Sequence, residues 1–503
     1  MGNREITIQN MVYDSRKVKD KDLFIAVKGF QRDGHDFLDQ ALQNGARVLV
    51  VEGKDSVVVE QRKNYFNLKS RAINHTMIIV PDTRLAMSLM ASAFYGNPSQ
   101  DLNLIGITGT NGKTTTCYLM ASILKQAGER VGWVSTIDYS LGEDSQPRES
   151  NYTTPESVDL QRILAQMKEN RVSWAVLEVS SHGLALHRTS GCRFNCAVYT
   201  NISRDHIDFH QDFSHYIESK ARLFELLNES NKNNKTAIIN RDDIYADVMI
   251  KKFRGANLCF SIKKSADIMA SDIECSGEGL RFRVNTPWGG FKVASPLLGY
   301  YNVYNILGAI GASLSQGINS EDILKGIEKM RGAPGRFERI KSDAPFDVIV
   351  DYAHTDDALS NLLSSARKIA QGNLILVFGC GGNRDRSKRP LMGAVAARLS
   401  DFTIVTSDNP RGENIASINK EIIKGYQKVR DISKNSNGTF KVIADRREAI
   451  AEAIKIAHPG DMVIVAGKGH EVKQIIGNTA IAFNDRDEVK KILASSKSRN
   501  SEF

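Results

Sequence analysis

The segment 106–116, which reads GITGTNGKTTT, restricts the possible folds of this chain more than any other stretch. It completes the apolar run LNLIGIT and leads into a helical pattern, which is the context of a phosphate-binding loop. Main-chain N–H groups at a helix N-terminus face the anion, and glycines let it approach. Lys113 would reach the terminal phosphates, and Thr114 or Thr115 could hold Mg²⁺. The strict pattern, G-x-x-x-x-G-K, would place a glycine at position 107, where this chain has Ile107. The loop is therefore a variant, in which Gly109 is the nearer glycine.

Short apolar strands alternate with helical stretches along the chain, a pattern typical of parallel α/β sheets. At 503 residues the chain is long enough for roughly three domains. Turn-forming residues mark two boundaries, GNPSQ at 96–100 and Pro-Gly at 334–335. We predict a small N-terminal α/β domain over 1–99, a central doubly wound ATP-binding domain over 100–335 and a Rossmann-like C-terminal domain over 336–503.

Two local patterns refine this prediction. Asp82 is a candidate N-cap for an amphipathic helix that extends to Tyr95. Between 256 and 296 the apolar residues alternate with period two and glycines mark turns, which predicts antiparallel strands at an edge of the central sheet.

The composition excludes several classes of protein. Apolar residues make up 41% and charged residues 25%, which is not the profile of a disordered, collagen-like or coiled-coil chain. The net charge of +9 favours phosphate or carboxylate partners, but the basic residues are spread out, so nucleic acid is not expected. Six cysteines without metal-binding or disulfide spacing suit a reduced compartment. Without a signal peptide or a membrane-length apolar run, we expect a cytoplasmic protein with no membrane insertion.

Carboxylates and imidazoles follow two further strands. Glu178 lies near the end of WAVLEV, and Asp205, His206 and Asp208 follow CAVYTN. A doubly wound sheet builds its site at the C-terminal ends of its strands, so these side chains are expected beside the phosphate loop. A single histidine after a strand is more often structural than a ligand. Together with the loop, however, these oxygen and imidazole groups suit a divalent cation.

Ordered motifs extend over nearly the whole chain. They are the phosphate loop, EVSSHG at 178–183, TNISRDHID at 200–208, YYNVYN at 300–305, GAPGRFE at 332–338 and DYAHTDDAL at 351–359. Others are DSR at 14–16, YTTPES at 152–157, GCGGNRDRSKRP at 379–390, SDNPRGE at 407–413 and GKGHE at 467–471. The first set resembles the Mur ligase family, which builds the peptide stem of peptidoglycan, and the second resembles the members that add the third residue of that stem.

This resemblance implies an ATP-dependent, amide-bond-forming ligase of cytoplasmic peptidoglycan precursor synthesis. The D-glutamate γ-carboxylate of UDP-N-acetylmuramoyl-L-alanyl-D-glutamate would take the γ-phosphoryl group of ATP. The amine of the added amino acid would then attack the acyl phosphate. It further implies a monomer whose partners are small-molecule substrates, with no nucleic acid.

The resemblance also implies which residues carry the chemistry. One Mg²⁺ would be held by Thr114 and Glu178, and a second by Glu178, His206 and a carbamylated Lys220. Addition of CO₂ would turn that lysine into an anionic ligand, which neighbouring metal ions would stabilise. The catalytic set implied is Lys113, Glu178, His206 and Lys220.

The other implied site residues fall into three groups. ATP would contact Gly109, Thr110, Asn111, Gly112, Lys113, Thr114, Thr115, Asn302, Asn305, Arg336, Asp351 and His354. The UDP-linked substrate would contact Ser15, Thr153, Thr154, Ser180 and Arg188. The added amino acid would contact Arg384, Asp408, Asn409, Arg411, Gly467 and Glu471. Asn302 and Asn305, three residues apart, would share one face of a helix.

The identity of the added amino acid depends on Arg411. Its guanidinium group can pair bidentately with a carboxylate, and meso-2,6-diaminopimelate has a distal carboxylate that lysine lacks. With lysine bound, the buried charge would have no partner. We therefore predict meso-2,6-diaminopimelate, with L-lysine or L-ornithine as the alternatives. The basic cluster at 384–389 would be a substrate-recognition loop.

Three other functions can be weighed against this one. Folylpolyglutamate synthetase shares the loop and the carbamate chemistry, but it lacks a counterpart to DNPR and would not be expected to carry a uridine-binding N-terminal unit. A nucleic-acid-dependent ATPase or phosphate-loop switch leaves DNPR and GKGHE unexplained. A pure binding module gives Glu178, His206 and Lys220 no purpose.

Overall fold

The computed structural model describes residues 5–30, 32–54, 60–62, 64–65, 75–142, 146–432 and 439–500. Its strands are β1 Met11–Val12, β2 Leu23–Ile25, β3 Val48–Glu52, β4 Thr76–Val80, β5 Asn103–Thr108, β6 Val131–Val134, β7 Asp138–Ser140, β8 Arg148–Glu149, β9 Trp174–Glu178, β10 Cys196–Tyr199, β11 Thr236–Asn240, β12 Ala256–Ser261, β13 Ile268–Ser276, β14 Gly279–Thr286, β15 Gly289–Ser295, β16 Glu338–Arg339, β17 Asp347–Asp351, β18 Leu374–Phe378, β19 Phe402–Val405, β20 Thr439–Val442, β21 Met462–Ala466, β22 Lys473–Ile476 and β23 Thr479–Ala482.

Its α-helices are α1 Leu38–Gln43, α2 Thr83–Phe94, α3 Lys113–Gln126, α4 Ser157–Glu169, α5 Ser181–Ala185, α6 Ile207–His210, α7 Phe213–Glu229, α8 Ala246–Lys252, α9 Asn302–Ser315, α10 Ser320–Lys329, α11 Asp356–Arg367, α12 Lys388–Leu399, α13 Ile415–Ile432, α14 Arg446–Ile456 and α15 Asp485–Asn500. In the described part of the chain, no helix combines the length and apolarity needed to cross a membrane.

The chain forms two compact units. The first comprises Met1–Gly106, Arg130–Asn195 and Arg222–Lys235, and the second Ile107–Glu129, Cys196–Ala221 and Thr236–Phe503. Strand β5 begins in the first unit and ends in the second.

The first unit contains a four-stranded sheet in the order β1–β2–β3–β4, and all its pairings are parallel. Successive strand residues point to opposite faces, so Phe24 and Leu49 enter one core while Leu23 and Val48 enter the other. Helix α2 packs on the second face and begins as the sequence predicts. Asp82 accepts hydrogen bonds from the first N–H groups of the helix at 2.9 and 3.0 Å, which confirms the N-cap. The same unit contains the run β9–β6–β7–β8, in which β9 and β6 are parallel.

The second unit contains the run β10–β11–β12–β13 with parallel pairing, continued by antiparallel β14 and β15. The predicted antiparallel edge is therefore confirmed. Helix α9 is buried along nearly its whole length, as an apolar helix inside a core must be.

The second unit also contains a six-stranded sheet in the order β16–β17–β21–β18–β19–β20, parallel except for the short edge strand β16. Residues of α11, α12 and α13 contribute to the core on one face, and residues of α14 and α15 to the core on the other. Burial on both faces explains why the inner strands β17, β18 and β21 are nearly continuous apolar runs. Because β17, β21, β18 and β19 are parallel, their C-terminal ends lie along one edge of the sheet, where the loops that follow β18, β19 and β21 meet.

Candidate active site

The loop after β5 accommodates only glycine at two positions. Gly109 has φ +149°, and a Cβ atom there would lie 1.9 Å from Thr200 Oγ1. Gly112 has φ +88° and immediately precedes α3, and its Cβ would lie 2.2 Å from Asn305 Oδ1. The main chain therefore passes very close to its neighbours, and α3 begins directly behind it at Lys113. This is the arrangement of a phosphate-binding loop.

Two lysines converge on this loop. Lys113 Nζ donates to the oxygens of Gly109 and Thr110 at 2.8 and 2.9 Å. Lys220, from α7, donates to the same Gly109 oxygen at 2.7 Å and is 2% exposed. Burial, and after it the charge of Lys113, lowers the pKa of Lys220 well below its usual value, although Asp205 acts in the opposite direction. The environment of Lys220 thus favours a neutral amine.

Asp205 lies among imidazoles and lysines next to the loop. Its Oδ2 is 3.3 Å from His206 Nε2 and 4.0 Å from His354 Nε2. Burial acts to raise the pKa of Asp205, but His206, His354, Lys388 and Lys113 outweigh it and hold that pKa at about 2. Burial lowers the pKa of His206, and burial with Lys388 lowers that of His354 to about 4. Both imidazoles are therefore neutral at pH 7, the form in which they can bind a metal ion.

Several predicted ATP contacts line or adjoin one cavity. It has a volume of about 910 Å³, and Asn302 and Arg336 are in its lining. Asn305 Nδ2 donates to Asn302 Oδ1 at 2.7 Å, which confirms that the two share a helix face. The guanidinium group of Arg336 lies 4.2 Å from the Tyr352 ring centre and donates to Thr114 Oγ1 at 3.4 Å. One residue of the cavity lining, Arg336, therefore contacts the first turn of α3.

The side chain of Asp351 forms hydrogen bonds to the main chain. Its carboxylate accepts hydrogen bonds from the N–H groups of Phe337 and Ala353 at 2.6 and 2.7 Å. Burial raises its pKa, and Arg336 acts in the opposite direction. Asp351 thus holds the strand end in place beside Arg336.

In the first unit, the predicted residues around Glu178 lie together. Both oxygens of this buried carboxylate accept hydrogen bonds from Thr136, one from its N–H group at 2.9 Å and one from its hydroxyl at 3.0 Å. Thr154 donates to the Glu178 main-chain oxygen at 2.9 Å and accepts from Ser180 N at 2.9 Å. The Thr153 hydroxyl lies 3.1 Å from that of Thr136 and can donate to it. Thr136 was not among the predicted site residues, and its only signal in the sequence is its position at the end of the apolar run VGWVST.

Arg188 belongs to the same cluster. It donates to the Thr154 oxygen at 2.8 Å and forms an ion pair with Glu156 at 2.6 Å. Glu156 was also missed, although it lies inside YTTPES. Ser15 is placed elsewhere in this unit, where its hydroxyl donates to Gln40 Oε1 at 2.7 Å.

The predicted amino-acid contacts of the second unit come from the ends of two strands. Asn409 Nδ2 donates to Glu471 Oε2 at 2.9 Å. The fully buried Lys468 donates to both, at 3.1 and 2.6 Å, and fixes the orientation of the Asn409 amide. Gly467 lies beside the Asp408 carboxylate. Lys468 was not among the predicted residues, because its neighbours in space follow a different strand.

Arg411 and Arg384 project from adjacent loops. Burial, and after it the charge of Arg384, lowers the pKa of Arg411, whereas Asp408 and Glu471 act to raise it. Arg411 donates to the Gly382 oxygen at 2.9 Å. Both side chains reach Gly381, because a Cβ atom there would lie 3.0 Å from Arg411 Nη1 and 3.8 Å from Arg384 Cγ. An anion between the two guanidinium groups would reduce their repulsion.

Two arginines of the basic cluster at 384–389 form ion pairs within the protein. Arg389 is fully buried and forms ion pairs with Glu413 and Glu421 at 2.9 and 3.0 Å. Arg386 also pairs with Glu421. Both arginines have carboxylate partners within the protein, Arg389 in the interior and Arg386 at the surface, and a contact of the whole cluster with substrate stays a prediction.

These features define a nucleotide-binding α/β protein of the phosphate-loop class. Three family models match the chain: the "Mur ligase family, catalytic domain" over 7–95, the "Mur ligase middle domain" over 107–313 and the "Mur ligase, glutamate ligase domain" over 335–469. The chain belongs to the Mur ligase family. The interpretation as an ATP-dependent ligase with the α/β architecture of that family is thereby confirmed.

Individual relatives agree with this assignment. The chain is 41% identical to UDP-N-acetylmuramoyl-L-alanyl-D-glutamate–2,6-diaminopimelate ligase of Clostridium botulinum, over 97% of this chain and 95% of the relative. A solved structure of a ligase with the same name is 34% identical, with a TM-score of 0.66, and the match covers 97% of this chain and 95% of that one. Mycobacterium tuberculosis folylpolyglutamate synthase is 17% identical with a TM-score of 0.64, over 77% of this chain and 93% of its own, and shares the fold alone.

Proposed function

We propose that this protein joins meso-2,6-diaminopimelate to UDP-N-acetylmuramoyl-L-alanyl-D-glutamate at the expense of ATP. The observation that carries the proposal is that Arg384 and Arg411 both reach Gly381 from adjacent loops, in a chain whose near full-length relatives are named for this reaction. A carboxylate does not react with an amine until one oxygen becomes a good leaving group. The D-glutamate γ-carboxylate therefore takes the γ-phosphoryl group first, and the amine of the amino acid then displaces phosphate from the acyl phosphate.

The phosphate loop and the 910 Å³ cavity together hold ATP. Lys113 exchanges its two main-chain acceptors for phosphate oxygens, a stronger charge-assisted contact. The remaining ATP contacts we assign are Gly109, Thr110, Asn111, Gly112, Thr114, Thr115, Asn302, Asn305, Arg336, Asp351 and His354. Positive charge from Lys113 at the transferring group lowers the barrier to phosphoryl transfer.

Thr114, Glu178, His206 and a carbamylated Lys220 would hold two Mg²⁺ ions. The fit depends on Lys220, since an ammonium group would repel a cation and a carbamate would attract one. Its buried, neutral-favouring environment suits the reaction with CO₂, which requires the free amine. Among the described residues, no three His, Cys, Asp or Glu side chains are grouped so as to hold a metal ion. Bound Mg²⁺ neutralises phosphate charge.

The pocket around Asn409 selects the amino acid. Asp408, Asn409, Gly467 and Glu471 receive its α-amino acid end, and Arg384 and Arg411 pair with the distal carboxylate of diaminopimelate. Bound lysine would put an ammonium group there and leave both guanidinium groups without an anion, a mismatch that a polar pocket rejects strongly.

The first unit receives the UDP-linked substrate. Thr153, Thr154, Ser180 and Arg188 contact the muramoyl-dipeptide, and Ser15 contacts the uridine end. We place the domain boundaries after residues 99 and 335. The enzyme acts as a monomer in the cytoplasm, where ATP and the UDP-linked precursor are available.

The test is release of phosphate from ATP in the presence of the UDP-linked dipeptide and one amino acid at a time. We expect release with meso-2,6-diaminopimelate and little with L-lysine or L-ornithine. Release with lysine or ornithine instead would keep the ligase and refute the assignment of Arg411. No release with any of the three would refute the proposed function.

A further inference from the structure

Arg389 occupies a position that is costly for a charge. Its side chain, from α12, is 0% exposed, and a buried ion is tolerated only when it is paired and hydrogen-bonded. Glu413 supplies a bidentate partner, with Nη1 to Oε2 and Nη2 to Oε1 both at 2.9 Å. Glu421 accepts from Nη1 at 3.0 Å, and the Gly381 oxygen accepts from Nη2 at 3.2 Å.

These partners belong to two loops that carry proposed substrate contacts. The Arg384 loop, residues 379–387, follows β18, and the Arg411 loop, residues 406–414, follows β19. Arg389 binds the first loop through Gly381 and the second through Glu413. Glu413 also contacts the Arg384 loop directly, because its Oε1 accepts a hydrogen bond from Asn383 N at 2.5 Å.

The two loops need such a connection. The side chains of Arg384 and Arg411 both reach Gly381, and two guanidinium groups of like charge repel each other unless an anion lies between them. Arg411 itself crosses to the other loop, where it donates to the Gly382 oxygen at 2.9 Å. One direct main-chain bond, from Gly382 N to the Asn409 oxygen at 2.9 Å, joins the loops near the pocket. The bidentate pair adds two charge-assisted bonds, which are the stronger kind.

We propose that the Arg389–Glu413 pair is a clamp that fixes the spacing between Arg384 and Arg411 and so sets which amino acid the enzyme adds. Both clamp residues act through others and have no contact with the substrate, so they are positioning residues. The inference rests on the proposed function, because it assigns the pocket between these loops to the amino acid.

The test compares two carboxylates that bind the same arginine. Glu413→Gln removes the charge from the Arg411 loop, whereas Glu421→Gln removes one from α13. Glu421 pairs with Arg386 and Arg389 but with no residue of the Arg411 loop, so its loss leaves the link between the two loops in place. Since a shift on the order of 1 Å in a bound group can cost 10²-fold, we expect Glu413→Gln to raise the KM of the amino acid roughly 10- to 100-fold. Glu413→Gln should also reduce the preference for meso-2,6-diaminopimelate over lysine, and it should leave the KM values of ATP and the UDP-linked dipeptide unchanged. Glu421→Gln should change none of these.

Each outcome separates the inference from the proposed function. If both variants alter the amino-acid KM equally, or Glu413→Gln leaves it unchanged while the wild type is active, the clamp is refuted and the ligase stands. If the wild type ligates no amino acid, both are refuted. Should Glu413→Gln not fold, Arg389→Lys decides, because it keeps the charge and loses the bidentate geometry. An unaltered amino-acid KM in that variant would refute the clamp.

Discussion

Lys113 and Lys220 donate to the same main-chain oxygen, that of Gly109, over 2.8 and 2.7 Å. Two ammonium groups on one acceptor repel each other, and burial removes the water that would screen them. Lys220 is the more deeply placed, and its pKa is lowered well below the usual value, by burial first and by Lys113 second. The loop therefore disfavours the charged form of Lys220, and the uncharged amine is the form that reacts with CO₂.

This environment predicts that Lys220 is carbamylated in the active enzyme. With ¹³C-labelled bicarbonate, the wild type should show a carbamate carbon signal by NMR that is absent in Lys220→Arg, and that variant should lose phosphate release. The control is Lys325→Met, which removes an exposed lysine paired with Glu321. Active wild-type protein without a carbamate signal would contradict the assignment.

A methyl group at Gly112 should disrupt ATP binding. The Cβ of Gly112→Ala would meet Asn305 Oδ1 at 2.2 Å, at a φ of +88° that favours glycine. Strain of about 1–3 kcal/mol corresponds to roughly 5- to 150-fold in affinity, so the KM of ATP should rise within that range or beyond. Gly128→Ala is the matched control, because Gly128 has φ +80° and no atom within 4 Å of the added Cβ. Equal ATP KM values in the two variants would show that the close approach does not matter.

Removal of Arg411 should alter selectivity more than rate. Hydrogen bonds to charged groups contribute about 1.5–3 kcal/mol, so Arg411→Ala should raise the KM of meso-2,6-diaminopimelate roughly 10- to 100-fold. The KM of lysine should change little, since lysine has no distal carboxylate to lose. Arg386→Ala, in the same basic cluster but paired with Glu421, serves as the control. An unchanged ratio between the two amino acids would remove the proposed role.

The Arg389–Glu413 pair should stabilise the protein in a pH-dependent way. Hydrogen bonding to Arg389 lowers the pKa of Glu413 from 4.5 to about 2. A carboxyl with a depressed pKa in the folded state stabilises fully above its unfolded pKa, and that contribution is lost as the pH falls towards the folded pKa. The difference in urea midpoint between wild type and Glu413→Gln should therefore be largest above about pH 5 and shrink towards about pH 3. A difference independent of pH would contradict the pairing.

Local features of the fold could be read from the sequence. The apolar runs around β5, β9 and β21 predict their strands, and the N-cap at Asp82 involves only the three residues that follow it. The shared helix face of Asn302 and Asn305 follows from their spacing alone. Each of these depends on contacts within a few residues, so periodicity and capping rules suffice.

Contacts between distant segments could not be read in this way. Thr136 holds Glu178 across 42 residues, and Lys468 holds Asn409 across 59. Arg384 and Arg389 belong to the same basic run of the sequence, yet Arg389 is buried in ion pairs and Arg384 is exposed on the loop after β18. Which arginine finds a carboxylate is decided by how α12 packs against α13, and no local pattern encodes that packing.

The most direct test of the central claim is a competition. Wild-type enzyme, ATP and UDP-N-acetylmuramoyl-L-alanyl-D-glutamate would be incubated with equimolar meso-2,6-diaminopimelate, L-lysine and L-ornithine, and the UDP-linked products identified by mass. Competition reports the ratio of kcat/KM values, which is the measure of specificity. We predict the diaminopimelate adduct almost alone. A predominant lysine or ornithine adduct, or no adduct at all, would contradict the account.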